Sequence, residues 1–185
     1  MLLKCLRKIK KDIDSEISIR RYARDEDGRI VIAMNVKDDK DFLSVFSKRE
    51  TPVISEDVAE FIEHCALSVP PSEKLRLSIT SECIDEKERE DYKKAIREYY
   101  TEKYLASKLE MKRNTFITIL LSLIGILIIS LSFLAASRVW SEVIAIIGWV
   151  FIWEAVHITA FQNRALRIKR MRYLSFIEMK ISYKK

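Results

Sequence analysis

The chain has 185 residues, of which 49% are hydrophobic and 32% charged, and its formal net charge is +6. This length suits one modest domain plus a membrane element. Only three glycines are present, at positions 28, 125 and 148, which excludes a glycine-rich phosphate-binding loop, and there is no GxSxG, HExxH or CxxC motif. We therefore expect no enzymatic activity, no metal and no cofactor.

The beginning of the chain is basic, with eight Lys or Arg side chains against three acids in the first 24 residues. The start MLLKCLRKIKKDI mixes basic and apolar residues without a small-residue cleavage site, so it predicts an amphipathic helix and not a cleavable signal peptide. Clustered positive charge can hold an anionic ligand. The residues expected to bind a nucleotide or an oligonucleotide are Lys8, Lys11, Arg20, Arg21 and Arg24. The alternative is a basic helix lying on an anionic membrane leaflet.

Residues 1–84 are predicted to form a small cytoplasmic α+β domain with about three strands and several helices. Asp27-Gly28 suits the positive backbone angles of a hairpin turn, and Ser55-Glu56-Asp57 is a favourable helix start. The expected elements are strands at Ser18–Ala23, Arg29–Val36 and Lys74–Thr80, and helices at Leu2–Ile13, Asp38–Lys48 and Ser55–Leu67.

From Asp85 the pattern predicts one long helix, because no glycine or proline occurs before Gly125. Its first turn is acid-rich, which complements the positive end of the helix dipole. Residues 85–113 would form a stalk of about 60–75 Å together with the apolar segment that follows. Tyr92, Ile96, Tyr99 and Tyr100 would face a core or a subunit interface; stacking on nucleobases is the alternative.

Two apolar stretches, at 115–136 and 143–161, are separated by only six residues, and the first carries no charge. Each is long enough to cross the hydrocarbon core of a bilayer. Lys and Arg side chains flank the outer ends of this pair, while the short loop holds only Arg138 and Glu142. The positive-inside rule then places both termini in the cytoplasm. The predicted segments are a first transmembrane helix at 114–136, an extracytoplasmic loop at 137–142, a second transmembrane helix at 143–162 and a basic cytoplasmic helix or tail at 163–185.

Five residues of the predicted spans are candidates for a pore or gate. Thr118, Ser122 and Gly125 belong to a stripe of small and weakly polar residues, which can line a pore or let helices pack closely. Glu154 and His157 are three residues apart on the second span, so they share a helix face. Ionisable groups at membrane depth usually face a protein interior or water. The alternative is that they hold helices together near the headgroups.

The order of a charged α+β cytoplasmic domain, a continuous helix, a two-span hairpin and a basic tail resembles the membrane effectors of bacterial anti-phage defence systems, including the small membrane component of the Hailong type. The resemblance implies a cytoplasmic sensor of a nucleotide or oligonucleotide that controls a pore-forming homo-oligomer. A single hairpin cannot enclose a channel, so a pore requires several copies. Three scattered cysteines fit a reducing compartment, and we expect the bacterial inner membrane. The alternative function is a membrane anchor or assembly subunit that recruits a soluble partner protein without a pore.

Overall fold

The computed structural model describes residues 23–184 except 39, 41, 48–51 and 136. These residues form two compact units. The first, here called the sheet unit, comprises the described residues of Met1–Thr101 and Arg172–Lys185, and the second, the hairpin unit, is Glu102–Met171. The elements in chain order are β1 (Ile30–Asn35), α1 (Glu56–Ala66), β2 (Leu75–Thr80), α2 (Glu86–Ser132), α3 (Arg138–His157), a π-helical turn (Ile158–Gln162), α4 (Asn163–Ile177) and β3 (Lys180–Lys184).

The sheet has three parallel strands in the order β1-β2-β3. Ile30 pairs with Leu75, and Arg76 pairs with Lys180. Two of these strands, β1 and β2, match strands predicted within residues 1–84, but β3 comes from the C-terminal tail, which the sequence predicted as a helix or tail throughout. Parallel strands are joined by long crossover connections and not by tight hairpins. The sequence therefore contains no local hairpin signal that would have identified β3.

The core of the sheet unit is formed by residues between Ile30 and Tyr100 together with residues of the C-terminal region. Alternating residues of β2 (Leu75, Leu77 and Ile79) are fully buried, as their period predicts. Ile96 and Tyr100 from the first part of α2 pack into the same core, which confirms the structural interpretation of the tyrosine-rich face over nucleobase stacking. The remaining contributions come from α1 (Ala59, Ile62, Ala66) and from the C-terminal region (Phe176, Met179).

The predicted turn at 25–28 is confirmed. The amide of Gly28 donates to the carbonyl oxygen of Asp25 at 2.8 Å, and Gly28 has φ of 72°, a conformation that glycine adopts without strain. Arg24 and Ile30 form an antiparallel bridge across the turn. The strand expected at Ser18–Ala23 lies outside the described residues except for Ala23.

An ion-pair cluster joins this turn to β2 and β3. Arg76 Nη2 is 2.6 Å from Asp25 and 3.3 Å from Asp27, while Lys180 Nζ is 3.1 Å from Asp27. The hydrogen bond from Lys180, reinforced by its charge, lowers the pKa of Asp27 below the ordinary value of 3.8. The C-terminal strand is therefore fixed by charge as well as by backbone pairing.

The Asp27–Lys180 pair predicts a pH-dependent contribution to stability. A carboxyl group whose pKa is lowered by folding stabilises the folded state above its unfolded pKa, and this contribution is lost as pH falls through the folded pKa. We expect Asp27→Asn to lower the melting temperature at pH about 6 and to have no effect at pH about 2. Asp91→Asn, at an exposed position on α2, is the control. A deficit of Asp27→Asn that persists unchanged at low pH would contradict the assignment.

The helix predicted at Asp38–Lys48 is wrong for the described residues of that segment, which form turns and an antiparallel bridge between Leu43 and Ile54. Serine side chains compete here for backbone amides. Ser44 Oγ accepts from the amide of Phe46 at 3.4 Å, and Ser47 Oγ accepts from the amide of Val53 at 3.0 Å. The chain thereby folds back on itself instead of continuing a helix.

Helix α1 begins as predicted, since Ser55 Oγ accepts the amide hydrogen bond of Val58 and caps the helix. Its buried residues are Ala59, Ile62 and Ala66, whereas the large side chain of Phe61 is 42% exposed. Small alanines can approach the sheet closely, and this rotates the larger Phe61 towards the surface.

Two helices are long and apolar enough to cross a membrane, as predicted. The first is α2, with 47 residues, and the second is the unbroken run Arg138–Ile177, with 40 residues. Only 11% and 17% of their most apolar 18-residue stretches are buried, unlike the core helix of a soluble protein. The second helix begins at Arg138, so most of the loop expected at 137–142 is helical.

Candidate functional site in the helical hairpin

Helices α2 and α3 of the hairpin unit are in close contact at two glycines. A Cβ atom added to Gly125 would lie 2.9 Å from the carbonyl oxygen of Gly148 and 2.8 Å from Cδ1 of Ile152. A Cβ atom added to Gly148 would lie 2.9 Å from the carbonyl oxygen of Gly125. Small residues permit such contact between apolar helices. Gly125, a candidate pore residue, therefore lies in a closed contact between the two helices of one chain.

The other two candidates on α2, Thr118 and Ser122, line a small groove of about 270 Å³ on the flank of the hairpin. Thr159 lies opposite them, with its Oγ1 atom 3.5 Å from that of Thr118 and 3.0 Å from the carbonyl oxygen of Ala155, to which it donates. Three hydroxyl side chains thus share this groove with aliphatic side chains. Thr159, which the sequence analysis had not selected, is the additional member.

Glu154 and His157 lie next to each other on the exposed surface of α3. His157 Nδ1 is 3.8 Å from Glu154 Oε1, and the two side chains are 48% and 54% exposed. The ring of Phe161 lies 5.5 Å from the imidazole, measured between centroids. Neither member of the pair lines the hydroxyl groove. The structure therefore brings Thr118 and Ser122 together and brings Glu154 and His157 together, at two different places.

The π-helical turn Ile158–Gln162 changes which residues of the following helix are buried. The amide of Asn163 bonds to the carbonyl oxygen of Ile158, five residues earlier. One extra residue in this turn carries Asn163 and Leu166 to the buried face, at 7% and 6% exposure. The side-chain oxygen of Asn163 is buried with no hydrogen-bond partner among the described residues. We found no signal in the sequence that predicts this turn.

Beyond the π turn, α4 continues to pack along α2. Arg170 donates from Nη2 to the hydroxyl of Tyr104 at 3.1 Å and from Nη1 to the sulfur of Met111 at 3.4 Å. The hydrogen bond from Arg170 lowers the pKa of Tyr104. The basic tail predicted at 163–185 thus begins as a helix held against α2 before it ends in β3.

Replacing Asn163 with leucine is expected to stabilise the hairpin unit. A buried polar atom left without a partner costs about 1–3 kcal/mol, and leucine has a similar volume without that atom. We expect a higher melting temperature for Asn163→Leu in detergent and no gain for Gln162→Leu, which changes an exposed neighbour. A lower melting temperature of Asn163→Leu than of the unaltered protein would contradict this account.

Of the residues predicted to bind an anionic ligand, Arg24 alone is within the described part. Its Nη1 atom is 3.2 Å from Glu73 and donates to the carbonyl oxygen of Gly28 at 2.9 Å, while the side chain stays 54% exposed. Lys8, Lys11, Arg20 and Arg21 lie outside the described residues. The position of Arg24 is therefore known, whereas it stays a prediction that the other four basic residues lie close to it.

A cavity of about 700 Å³ opens at the carboxyl end of β1, which the sequence analysis did not anticipate. Crevices at the carboxyl ends of parallel strands are common ligand sites. Apolar side chains of Met34, Phe42 and Phe61 contribute to its lining. Its charged lining residues are one cation, Lys37, and two acids, Asp38 and Asp57, so the cavity by itself is not a basic pocket.

The described residues contain no cluster of three or more His, Cys, Asp or Glu side chains that could hold a metal ion. No protein family, curated protein or solved structure matches the chain.

Proposed function

We propose that the protein is an oligomeric membrane effector. Its two apolar helices span the bilayer, its sheet unit lies in the cytoplasm and binds an anionic nucleotide or oligonucleotide signal, and binding controls a pore formed by several copies or a disruption of the membrane. The bacterial inner membrane and anti-phage defence are the setting that the overall organisation favours.

The length, apolar character and low burial of the two helices support membrane insertion. The two ends of the hairpin differ in charge. The turn end holds Arg138 and Glu142, which pair at 3.2 Å, whereas the other end carries an excess of Lys and Arg on both helices. This asymmetry favours a cytoplasmic location for the basic end and for both chain termini.

The observation that carries the proposal is the exposed Glu154–His157 pair within the otherwise apolar stretch 143–161. An acidic side chain at the centre of a membrane helix costs about 2.5–3.5 kcal/mol on insertion scales. Contact with another copy, or with water between copies, would remove this cost. The interior of one hairpin is closed at Gly125 and Gly148. A conducting path would therefore run between copies, past Glu154, His157 and the hydroxyl groove of Thr118 and Ser122.

Continuity of α2 supports control of the path from the cytoplasm. This helix contributes Tyr92, Ile96 and Tyr100 to the core of the sheet unit and continues without a break into the hairpin unit. A change in the packing of the sheet unit can then act directly on the helix. A ligand controls such a change only if it binds the closed and open states with different affinities.

Ion flux from liposomes containing the purified full chain tests the pore. We expect flux that depends on a candidate nucleotide, and a loss of about tenfold in the double variant Glu154→Gln/His157→Gln, which corresponds to a rise of about 1.4 kcal/mol in the barrier along the path. Ser130→Ala is the control, because that exposed hydroxyl donates to the carbonyl oxygen of Ile126 within its own helix, at 2.8 Å. Equal flux through the double variant and the unaltered protein would remove the pair from the path.

The ligand assignment is tested separately. We expect reversal of charge at Arg20, Arg21 and Arg24 to abolish nucleotide binding, because the attraction for phosphate becomes repulsion. Reversal at Lys74, Lys87 and Arg97, three exposed cations of the sheet unit, is the matched control. Unchanged affinity in the first variant would overturn the assignment.

The closed contact between Gly125 and Gly148 also favours a second function, a membrane anchor that recruits a soluble partner. In that case the small-residue stripe serves helix packing alone, and the cavity beside β1 or the surface around it receives the partner. Absence of flux under all conditions, with one stoichiometric partner in pull-downs, would favour the anchor.

A further inference from the structure

Six cations surround one end of the hairpin unit. They are divided equally between the two helices, and all six side chains are exposed: Lys108, Lys112, Arg113, Arg164, Arg167 and Lys169. Each lies within about ten residues of an apolar stretch along its own helix. We call this set the basic collar.

The basic collar has no internal charge compensation. None of its members belongs to an ion pair or a hydrogen bond among the residues that the structure describes, and the one acid between them in sequence on α2 is Glu110. On α4 no acid occurs between Asn163 and Ile177. Exposed charges of one sign at this density attract anions from solution or from a surface. The collar therefore carries the net positive charge that a binding surface for anions requires.

The distribution of the collar around the helices identifies the shape of the anion. Lys108 and Lys112 are four residues apart and share a face, but Arg113 lies about 100° further around α2. On α4, Arg164 and Arg167 share a face, and Lys169 points about 160° away from Arg167. A nucleic acid strand would require the cations along one stripe or groove. Cations on several sides of two adjacent helices instead suit a layer of phosphates that surrounds them.

We propose that the basic collar binds the headgroups of anionic phospholipids in the leaflet next to this end of the hairpin. The proposal depends on the membrane insertion given under the proposed function, but not on a pore or a nucleotide signal. Phosphate groups of lipids would then neutralise the six positive charges of the collar. The turn end of the hairpin, where Arg138 already pairs with Glu142, would show no preference for anionic phospholipids.

Native mass spectrometry of the detergent-solubilised full chain, with phosphatidylglycerol and phosphatidylcholine added in equal amounts, tests the proposal. We expect retention of phosphatidylglycerol over phosphatidylcholine. The triple variant Arg164→Gln/Arg167→Gln/Lys169→Gln should lose this preference, by about fivefold for each cation removed. The triple variant Lys74→Gln/Lys87→Gln/Arg97→Gln removes the same charge from exposed positions of the sheet unit and should keep it.

Two competitors distinguish other sources of phosphate. Inorganic phosphate at the same concentration as the lipid should not displace phosphatidylglycerol; displacement would show a site for free phosphate and overturn the proposal. A single-stranded oligonucleotide is the second competitor. The collar would be assigned to nucleic acid instead if the oligonucleotide displaces the lipid and binds the triple variant of the sheet unit but not the triple variant of the collar.

Carbonate extraction of membranes separates the failure of this proposal from failure of the proposed function. If the chain stays in the membrane and shows no lipid preference, the collar proposal fails and the spanning hairpin stands. If carbonate releases the chain, membrane insertion fails and both are overturned.

Discussion

Replacing Gly125 with leucine is expected to separate the two apolar helices of the hairpin unit. Its first added carbon would lie 2.8 Å from Cδ1 of Ile152 and 2.9 Å from the backbone oxygen of Gly148, and the backbone atom cannot move aside as a side chain can. Overpacking costs about 1–3 kcal/mol in cores that can adjust. Because a whole leucine must be placed against backbone, we expect the upper end of that range or more.

Disulfide formation measures this separation directly. In a variant with Cys5, Cys65 and Cys83 replaced by serine, cysteines introduced at Thr118 and Thr159 should cross-link, since the two Oγ1 atoms are 3.5 Å apart. Adding Gly125→Leu should abolish the cross-link and lower the melting temperature in detergent. Ser130→Leu adds leucine at an exposed position of the same helix and should leave both unchanged. Efficient cross-linking of the Gly125→Leu protein would contradict the close contact.

Replacing Phe176 with alanine is expected to destabilise the sheet unit strongly. Phe176 is 1% exposed, and its ring centroid lies 4.5 Å from that of Tyr100 on α2. Phenylalanine-to-alanine changes in cores cost about 3–5 kcal/mol. The stability of a typical domain is only about 5–15 kcal/mol, so this one change removes a large part of it. The C-terminal strand β3, which follows Phe176 by four residues, would be lost at the same time.

Urea unfolding of the full chain, followed by protease sensitivity of the sheet unit, checks this expectation. Leu174→Ala is the matched control because it removes an aliphatic side chain from the same helix at a position that is 39% exposed. We expect its cost to be about 1 kcal/mol. Equal sensitivity of the two variants would show that Phe176 does not anchor the C-terminal segment.

Features with a local signal were predictable from the sequence. Glycine and proline are lacking between Asp85 and Gly125, and this predicted the continuous helix that α2 forms. Alternation in Lys74–Thr80 predicted β2, and the apolar stretches predicted two helices long enough to cross a membrane. In each of these cases the decisive property, which is period, length or the lack of a breaker, is contained in one segment.

Features that depend on distant partners were not predictable. Lys180–Lys184 becomes a strand because β2 offers an edge about 100 residues earlier in the chain. Residues 42–47 pair with residues 52–55 through the Leu43–Ile54 bridge and through Ser47 Oγ, which accepts from the amide of Val53. The π turn at Ile158–Gln162 brings Asn163 and Leu166 to the buried face, and no residue type or spacing in the turn specifies it.

In the candidate site, too, some features were predictable from local spacing and others were not. Spacing on one helix identified Glu154 and His157 as a pair. Helical period also grouped Thr118 with Ser122, but their partner Thr159 comes from the second helix and needed the structure. The basic residues expected to bind a ligand remain a prediction, apart from the placement of Arg24 beside Glu73.

Cysteine labelling in intact cells tests the central claim, a hairpin that crosses the bilayer twice and leaves both ends of the chain in the cytoplasm. In the variant without native cysteines, a membrane-impermeant maleimide should label Ser137→Cys, in the turn, from outside the cell. It should label Lys184→Cys, in β3, only after the membrane is opened. Labelling of Lys184→Cys in intact cells, or recovery of the chain in the soluble fraction, would contradict the account.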